Sequence, residues 1–497
     1  MTTFWKKDMN TPSYPTLHGE IQTDTAIIGG GLCGVLTAYL LKEQGIDCVV
    51  LEAASIGSGQ TMGTTAKITS QHGLCYHNLI QTHGRKIAKC YAAACRQAVT
   101  DYSELIHSQN ISCSFEQCPT YLYSTCENTL FLMAEANDAE YLGFDAAYTD
   151  KLSLPFPVTG AVRFNHQAAF HPLQFLYALS RELTIYEHSR VLSVKLLSSK
   201  EQSSAGFKNM IGTEYGTVSA RRVIFACHYP FLRYPGFYAL KMFQKQNPVF
   251  ALQNVELPEA PCLGVDPDGL SFRPAGEFLL LGGPSYRTGD SKSAAFSYAL
   301  LKQRVKELYP NGHILESWTA QDCVTLDGLP MIGIFSKSRP EWCIADGFGK
   351  WGMTGSMLAA TLLRDMFTGQ KNPLEQIVFP GRFLRHASFD FLWEHISVFT
   401  SSLLLSRLKK PKVVSDDLQT DEGGIVLHQG KKTAAYRNAD GKLYTFLPRC
   451  PHMGCELSWN AEAKTWDCPC HGSRFRYDGT LLCGPANLSL TPLPQEK

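Results

Sequence analysis

Apolar and polar positions alternate in short blocks over most of the chain. Thr25-Ala26-Ile27-Ile28 is an apolar run of strand length, and Val35 to Glu43 follows with helical spacing. A second strand, Asp47 to Leu51, ends on the acid Glu52. Strand-like runs return at Trp342 to Ala345, and again at Val249 to Leu252, Leu270 to Arg273 and Phe278 to Gly283. Between 386 and 408 the period changes. Phe389, Leu392, Trp393, Ile396, Phe399 and Leu403 recur at helical spacing, and Arg407, Lys409, Lys410 and Lys412 follow. Pro411 to Gly424 reads as a linker. Ile425 to Pro448 reads as paired strands turning at Asn438-Ala439-Asp440-Gly441.

The first strand runs into Gly29-Gly30-Gly31-Leu32-Cys33-Gly34. Strand, G-x-G-x-x-G, helix, strand and acid are all present. The glycines permit a tight turn, close approach to a pyrophosphate and close helix–strand packing. Gly29, Gly31 and Gly34 are therefore dinucleotide-binding candidates, with Glu52 as acceptor for ribose hydroxyls. Gly347-Phe348-Gly349-Lys350-Trp351-Gly352 repeats the pattern, but no strand ending in an acid follows its helix. It does not read as a nicotinamide site.

The C-terminal part carries different chemistry. Cys450-Pro451-His452 and Cys468-Pro469-Cys470-His471 form C-x-H-x15-C-x-x-H. Two thiolates and two imidazoles can hold a [2Fe–2S] cluster asymmetrically, with Cys450 and Cys468 on one iron and His452 and His471 on the other. A structural zinc ion could use the same four residues.

Length and composition narrow the rest. The chain has 497 residues, enough for about three domains, with 44% hydrophobic and 18% charged residues. A net charge of +1 gives no nucleic-acid footprint. No apolar run reaches spanning length, and no apolar leader is seen at the start. The 17 cysteines lie mostly singly in apolar runs (Cys33, Cys48, Cys227, Cys343), as free buried thiols do, which points to the cytoplasm. The helix near 386–408 has two readings. One is an interfacial helix with a basic end, giving weak peripheral membrane contact through 389–412. The other, taken here, is a helix packed between domains with its cations at the C-terminal end.

Several of these residues carry a resemblance to known families. The two cysteine–histidine loops resemble the Rieske proteins, those of cytochrome bc type included. That resemblance implies a Cys455–Cys470 disulfide, a Ser473 hydroxyl on a cluster sulfur and a covering loop at Gly484-Pro485-Ala486. Phe475 stands where that family often has Tyr, so a donor to the cluster is missing and a lower potential is expected. The histidines would present ring nitrogens to solvent and make the potential pH-dependent.

The remainder, roughly 20–375, resembles the D-amino-acid oxidase/glycine oxidase flavoproteins. It does so through Gly57 to Lys67, Phe170-His171-Pro172, the strands near Val191 and Arg222, Asp327-Gly328-Leu329-Pro330, and Asp346 to Thr354. The resemblance implies FAD, touched further by Gly59, Thr61, Thr65, Val191, Gly347, Gly349, Gly352 and Met353. Met62 and Trp318 stand near the attachment loops, so the flavin is expected to be dissociable.

The resulting fold expectation is an α/β Rossmann-like FAD-binding domain with an interleaved α+β substrate domain over 19–380. FAD segments are expected near 19–85, 175–230 and 315–375, and substrate-side segments near 86–174 and 231–314. A connecting helix and linker (386–424) and a small all-β Rieske domain (425–497) complete it. Arg273 and Arg287 are candidate clamps for a substrate carboxylate, because a guanidinium pairs with it bidentately. His72, His171 and His228 read as structural.

The expected activity is oxidation of a small amine or amino acid by hydride transfer to FAD. Electrons would leave singly through the cluster to a protein or quinone. An NAD(P)H- or partner-driven reductase with reverse flow, or a non-catalytic redox sensor, are the alternatives.

Overall fold

A computed structural model describes residues 4–7, 9–127, 129–198, 206–232, 234–382 and 389–494. Two sheets form its larger part. The first is parallel at its centre, in the order Met331–Ser336, Arg339–Asp346, Gly216–Phe225, Gly19–Ile28, Cys48–Leu51, Thr184–Tyr186. Its central strands are near-continuous apolar runs because both faces are covered. Helices Leu32–Lys42 and Gly352–Thr368 pack against each other in this core. Gly34 is required where the first helix meets the strand before it: a Cβ there would stand 1.9 Å from the Gly29 carbonyl oxygen.

The second sheet has ten strands, most of them antiparallel. Its longest ladder pairs Met242–Gln253 with His313–Thr325, from Met242 opposite Thr325 to Gln253 opposite His313. One face turns towards the first sheet. The other carries Phe250, Leu252, Phe272, Leu279 and Leu281 under the helix Ser291–Leu308. Asp290 caps that helix by accepting from the Ser293 N–H at 3.1 Å.

The structure draws two boundaries differently from the sequence pattern. Residues 315–325, grouped above with the FAD segments, belong to the second sheet through their pairing with 242–253. Lys67–Ile68 joins the same sheet against Ala168–Ala169. Register with a distant partner decides this, and a local apolar pattern does not reveal it. The run from Tyr186 to Val194 is also broken. Strands end at Tyr186 and restart at Ser193, and the loop between is tied down by Glu187, which accepts from the Ile56 N–H at 2.7 Å.

A three-stranded and a four-stranded antiparallel sheet form the C-terminal part. The hairpin at 438–441 is present, with Gly441 at φ 79 and its N–H donating to Asn438. The connecting helix is Phe389–Leu403, and the start expected from 386 lies outside the described residues. His395, Phe399 and Leu403 fall four apart on its inner face and pack between the two parts.

Candidate functional site: a dinucleotide cradle joined to a cysteine–histidine centre

The cradle is built at the C-terminal ends of the parallel strands. Gly29 has φ 116, and a Cβ there would lie 2.4 Å from the Ala226 carbonyl oxygen. The Glu52 carboxylate is enclosed, and burial raises its pKa against the N–H groups of Ala54 (2.8 Å) and Gly30 (2.7 Å). Thr61 accepts from the Leu32 N–H at 2.9 Å, which fastens the second loop to the helix N-terminus beside Gly31. A Cβ at Gly59, Gly349 or Gly352 would meet nothing within 4 Å, so these backbones border open space. Met353 opens the helix that ends this loop, and its carbonyl accepts from Tyr102 at 2.8 Å. Thr65 lies half-buried after the second loop, and Val191 is buried beside the Glu52 turn. An open cradle of glycine backbone with one enclosed acid fits a dinucleotide. Among the described residues no strand occurs between the helix Gly352–Thr368 and Gly423, so the second glycine pattern has no nicotinamide partner.

Trp318 donates to the Gly63 carbonyl at 2.9 Å, tying the second sheet to the second cradle loop. Arg273 and Lys67 stand on strands of the same sheet. Arg273 is 5% exposed, and its Nε has no hydrogen-bond partner. Desolvation pulls its pKa down to about 10. Lys67 donates to the Ser271 hydroxyl two residues away on the same strand face. Burial first, then the charge of Arg273, lowers Lys67 to about 7. Lys67 was not singled out in the sequence, where it is one lysine among small residues. Asp322 is raised to about 6 by burial, with Lys350 opposing the shift.

Arg287 points elsewhere, which corrects its reading as a substrate clamp. Its Nε donates to the Pro469 carbonyl at 3.4 Å, Nη1 to Glu394 at 3.5 Å and Nη2 to His395 Nδ1 at 2.8 Å. The guanidinium also lies 4.5 Å from the centre of the Phe243 ring. Every edge is engaged by protein, because the strand end at Tyr286–Arg287 runs under the C-terminal part.

The two cysteine–histidine loops are built alike. Gly454 and Gly472 have φ of 78 and 81, and each donates its N–H to the carbonyl of the first cysteine, Cys450 or Cys468, at 2.9 Å. The His452 and His471 rings stand 5.1 Å apart, edge to face. The Cys468 thiol lies against Cys450 and lowers its pKa. A disulfide joins Cys455 to Cys470. Their sulfurs also lie within 4.8 Å of Cys468, but the bond removes both as metal ligands. The Ser473 hydroxyl accepts from the Ala486 N–H at 2.9 Å, fixing the loop Gly484-Pro485-Ala486 over the site. Neither ring nitrogen of buried His471 makes a hydrogen bond, as befits a ring that a metal is to use. Two thiols on one side and two imidazoles on the other fit an asymmetric [2Fe–2S] cluster.

The expectation that these histidines face solvent is overturned. His471 is 0% and His452 6% exposed. Phe399 (5.9 Å between ring centres) and Tyr229 (6.0 Å) cover His471. Burial, with the charges of His452, His395 and Arg287, depresses the His471 pKa to about 3.

A glutamine set that the sequence reading missed joins this centre to the cradle. Gln244 donates to the His471 carbonyl at 2.6 Å and Gln321 to the Gly472 carbonyl at 2.7 Å. Gln246 donates to Asp467 at 3.1 Å. The Gln244 amide oxygen accepts from Gln321 and pairs with His228 Nε2 at 3.2 Å. The Gln321 N–H donates to Gln60, within the second cradle loop, at 3.0 Å. Only glycine fits at 472, where a Cβ would lie 2.6 Å from Gln244. The available signal was two glutamines at alternate positions, Gln244 and Gln246, in the polar first half of a strand whose second half is apolar. Of the three histidines weighed above, His171 accepts from the Gln174 N–H at 3.3 Å as a helix cap, and burial lowers His72 to about 3.

Comparison with known proteins agrees with this arrangement. The family described as FAD dependent oxidoreductase matches residues 24–366, and the Rieske [2Fe-2S] domain matches 410–494. A Bacillus subtilis (strain 168) protein called putative Rieske 2Fe-2S iron-sulfur protein YhfW is 33% identical, covering 99% of this chain and 97% of its own length. A cytochrome b6-f complex iron-sulfur subunit of Microcystis aeruginosa is 34% identical over 94 residues, which are 19% of this chain and 48% of that subunit. Glycine oxidase from Geobacillus kaustophilus has a similar fold, with a TM-score of 0.60 at 17% identity over 73% of this chain and 99% of that one. L-amino acid deaminase from Proteus myxofaciens gives 0.59 at 17% identity, over 76% and 97%. The chain belongs to the FAD-dependent oxidoreductases of the D-amino-acid oxidase type that carry a C-terminal Rieske [2Fe–2S] domain.

Proposed function

We propose that this oxidoreductase dehydrogenates a small amine or amino acid bearing a carboxylate, and exports the electrons one at a time through its Rieske domain. The observation that carries this reading is the hydrogen-bonded seat of the cluster loop. Gln244 and Gln321 hold the His471 and Gly472 carbonyls, and Gln321 also reaches the cradle loop through Gln60. When bound, FAD takes up a hydride, and the [2Fe–2S] cluster takes a single electron. Cys450, His452, Cys468 and His471 hold the cluster. Gly29, Gly31, Gly34, Glu52 and Thr61 hold the dinucleotide.

On the substrate side, Arg273 and Lys67 orient the carboxylate. The Glu116 carboxylate offsets part of the Arg273 charge, and Lys67, whose own pKa Arg273 lowers, is a second buried cation nearby. Their desolvation strengthens the pairing with an arriving carboxylate. Similar folds named for glycine oxidase and L-amino acid deaminase support the amine class. A protein or quinone takes the electrons. Buried free thiols such as Cys33, Cys48 and Cys343 favour the cytoplasm as the compartment.

The test is an anaerobic titration with amines and amino acids, followed by absorbance and EPR together. Flavin bleaching followed by a reduced-Rieske signal is expected. Bleaching by NADH alone, with no response to any amine, would overturn the reading in favour of a reductase.

A further inference from the structure

We propose that the connecting helix docks the enzyme on an anionic lipid surface, with the cluster on the helix's opposite side. The argument begins with its two faces. His395, Phe399 and Leu403 point inward, and Phe399 lies against His471. Trp393 and Ile396 are exposed on the helix, Leu404 on the turn that ends it, and Leu405 and Leu408 on the short 3-10 helix Leu405–Leu408 that follows. Trp393 is 56% exposed and Leu408 82%. An exposed apolar strip of this size marks an interaction surface.

Charge selects the surface. Lys409, Lys410 and Lys412 follow directly and are exposed. No acid occurs from His395 to Ser415, and Glu394 is paired with Arg287. An apolar strip with a tryptophan at one end and lysines at the other matches the boundary between acyl chains and anionic headgroups. No helix among the described residues is long and apolar enough to cross a membrane, so the contact is peripheral. An α-helix is about 10 Å across. Docking therefore sets the buried His471 side of the cluster roughly one helix diameter from lipid. The inference does not depend on which substrate the flavin domain oxidises.

The test uses the purified holoenzyme and sedimentation with vesicles of phosphatidylglycerol mixed with phosphatidylcholine, or of phosphatidylcholine alone. Strong binding to the anionic vesicles, weakened by salt, is expected. Replacing Lys409, Lys410 and Lys412 together by Gln should weaken that binding about 100-fold. Trp393→Ala with Leu408→Ser should reduce binding to both vesicle types. The lysine variant changes only exposed side chains, so it keeps the test standing if the apolar variant fails to fold. Flavin absorbance and the Rieske EPR signal report folding in both. Failure to bind either vesicle overturns the proposal, as does binding that neither variant alters. A dimer in solution that Leu408→Ser dissociates also overturns it, by assigning the strip to a second copy.

Discussion

Arg273 and Arg287 sit on strands of the same sheet, both largely buried, and they have opposite surroundings. Arg287 spends every edge of its guanidinium on protein: Pro469, Glu394, His395 and the Phe243 ring. Arg273 has an unpartnered Nε, a carboxylate, Glu116, that offsets only part of its desolvation, and a second buried cation, Lys67, whose pKa it lowers. A buried charge is costly unless paired. The Arg287 cost is met inside the chain, and the cation fixes one domain on the other. The Arg273 cost is only partly offset by Glu116, and its free Nε edge is left for an incoming anion. Residue type alone therefore does not identify a substrate clamp; the surroundings do.

The sharpest way to break this contrast is to remove each cation in turn. Arg273→Gln should lower kcat/KM for an amino acid substrate by about 100- to 1,000-fold, as expected when one member of a desolvated charge pair is lost. The KM should rise, and the cluster EPR signal should stay unchanged. An Arg273→Gln enzyme with normal KM would remove the clamp from the flavin side.

Arg287→Met should leave flavin bleaching by substrate intact and act on the cluster. Loss of a positive charge near His471 disfavours the more negative reduced cluster, so the midpoint potential should fall. A hydrogen bond to a charged group contributes about 1.5–3 kcal/mol, and each tenfold change is about 59 mV in a one-electron couple. A fall of about 60 mV or more in a redox titration is expected, with slower reduction of the cluster after flavin bleaching. If substrate affinity fell instead, the two arginines would have exchanged roles.

Lys67 gives the pH signature of the flavin-side pair. Burial and Arg273 hold its pKa at about 7 in the protein, well below the 10.5 usual for a lysine. The side chain is cationic below that pH and neutral above it. Affinity for a competing carboxylate should thus be full below about pH 7 and fall about tenfold per unit above it. Lys67→Met should flatten this dependence. Binding that stays flat from pH 6 to 9 in the unaltered enzyme would leave Arg273 as the sole anchor.

What could be read in advance follows the same division. The glycine cradle, Glu52 and the two cysteine–histidine loops are local constellations, and spacing alone exposes them. The connecting helix itself was legible from its apolar spacing, but not which face turns inward: Trp393 and Ile396 of that stripe are exposed, while the polar His395 is buried. The seat of the cluster was not. It depends on the register of Met242–Gln253 against His313–Thr325, which aims Gln244, Gln246 and Gln321 at the segment Asp467 to Gly472, between 151 and 227 residues further on. The same docking buried histidines that their motif alone left exposed, and it captured Arg287. Lys67 became meaningful only when the sheet brought Ser271 and Arg273 beside it.

The smallest predicted effect concerns Phe475, on the cluster side of the contrast. Its ring is fully buried in the core of the Rieske domain, two residues beyond Ser473. The Ser473 hydroxyl lies against Cys450 and lowers its thiol, while Phe475 offers no donor. Phe475→Tyr would supply one. A neutral hydrogen bond is worth about 1 kcal/mol, or about 40 mV for one electron, and a donor favours the more negative reduced state. The midpoint potential should therefore rise by about that amount, in the opposite direction to Arg287→Met. A double variant with both changes should lie between the two, because the two effects have opposite signs. A potential that moved equally in the same direction for both would mean that packing, and not charge, sets the cluster's environment.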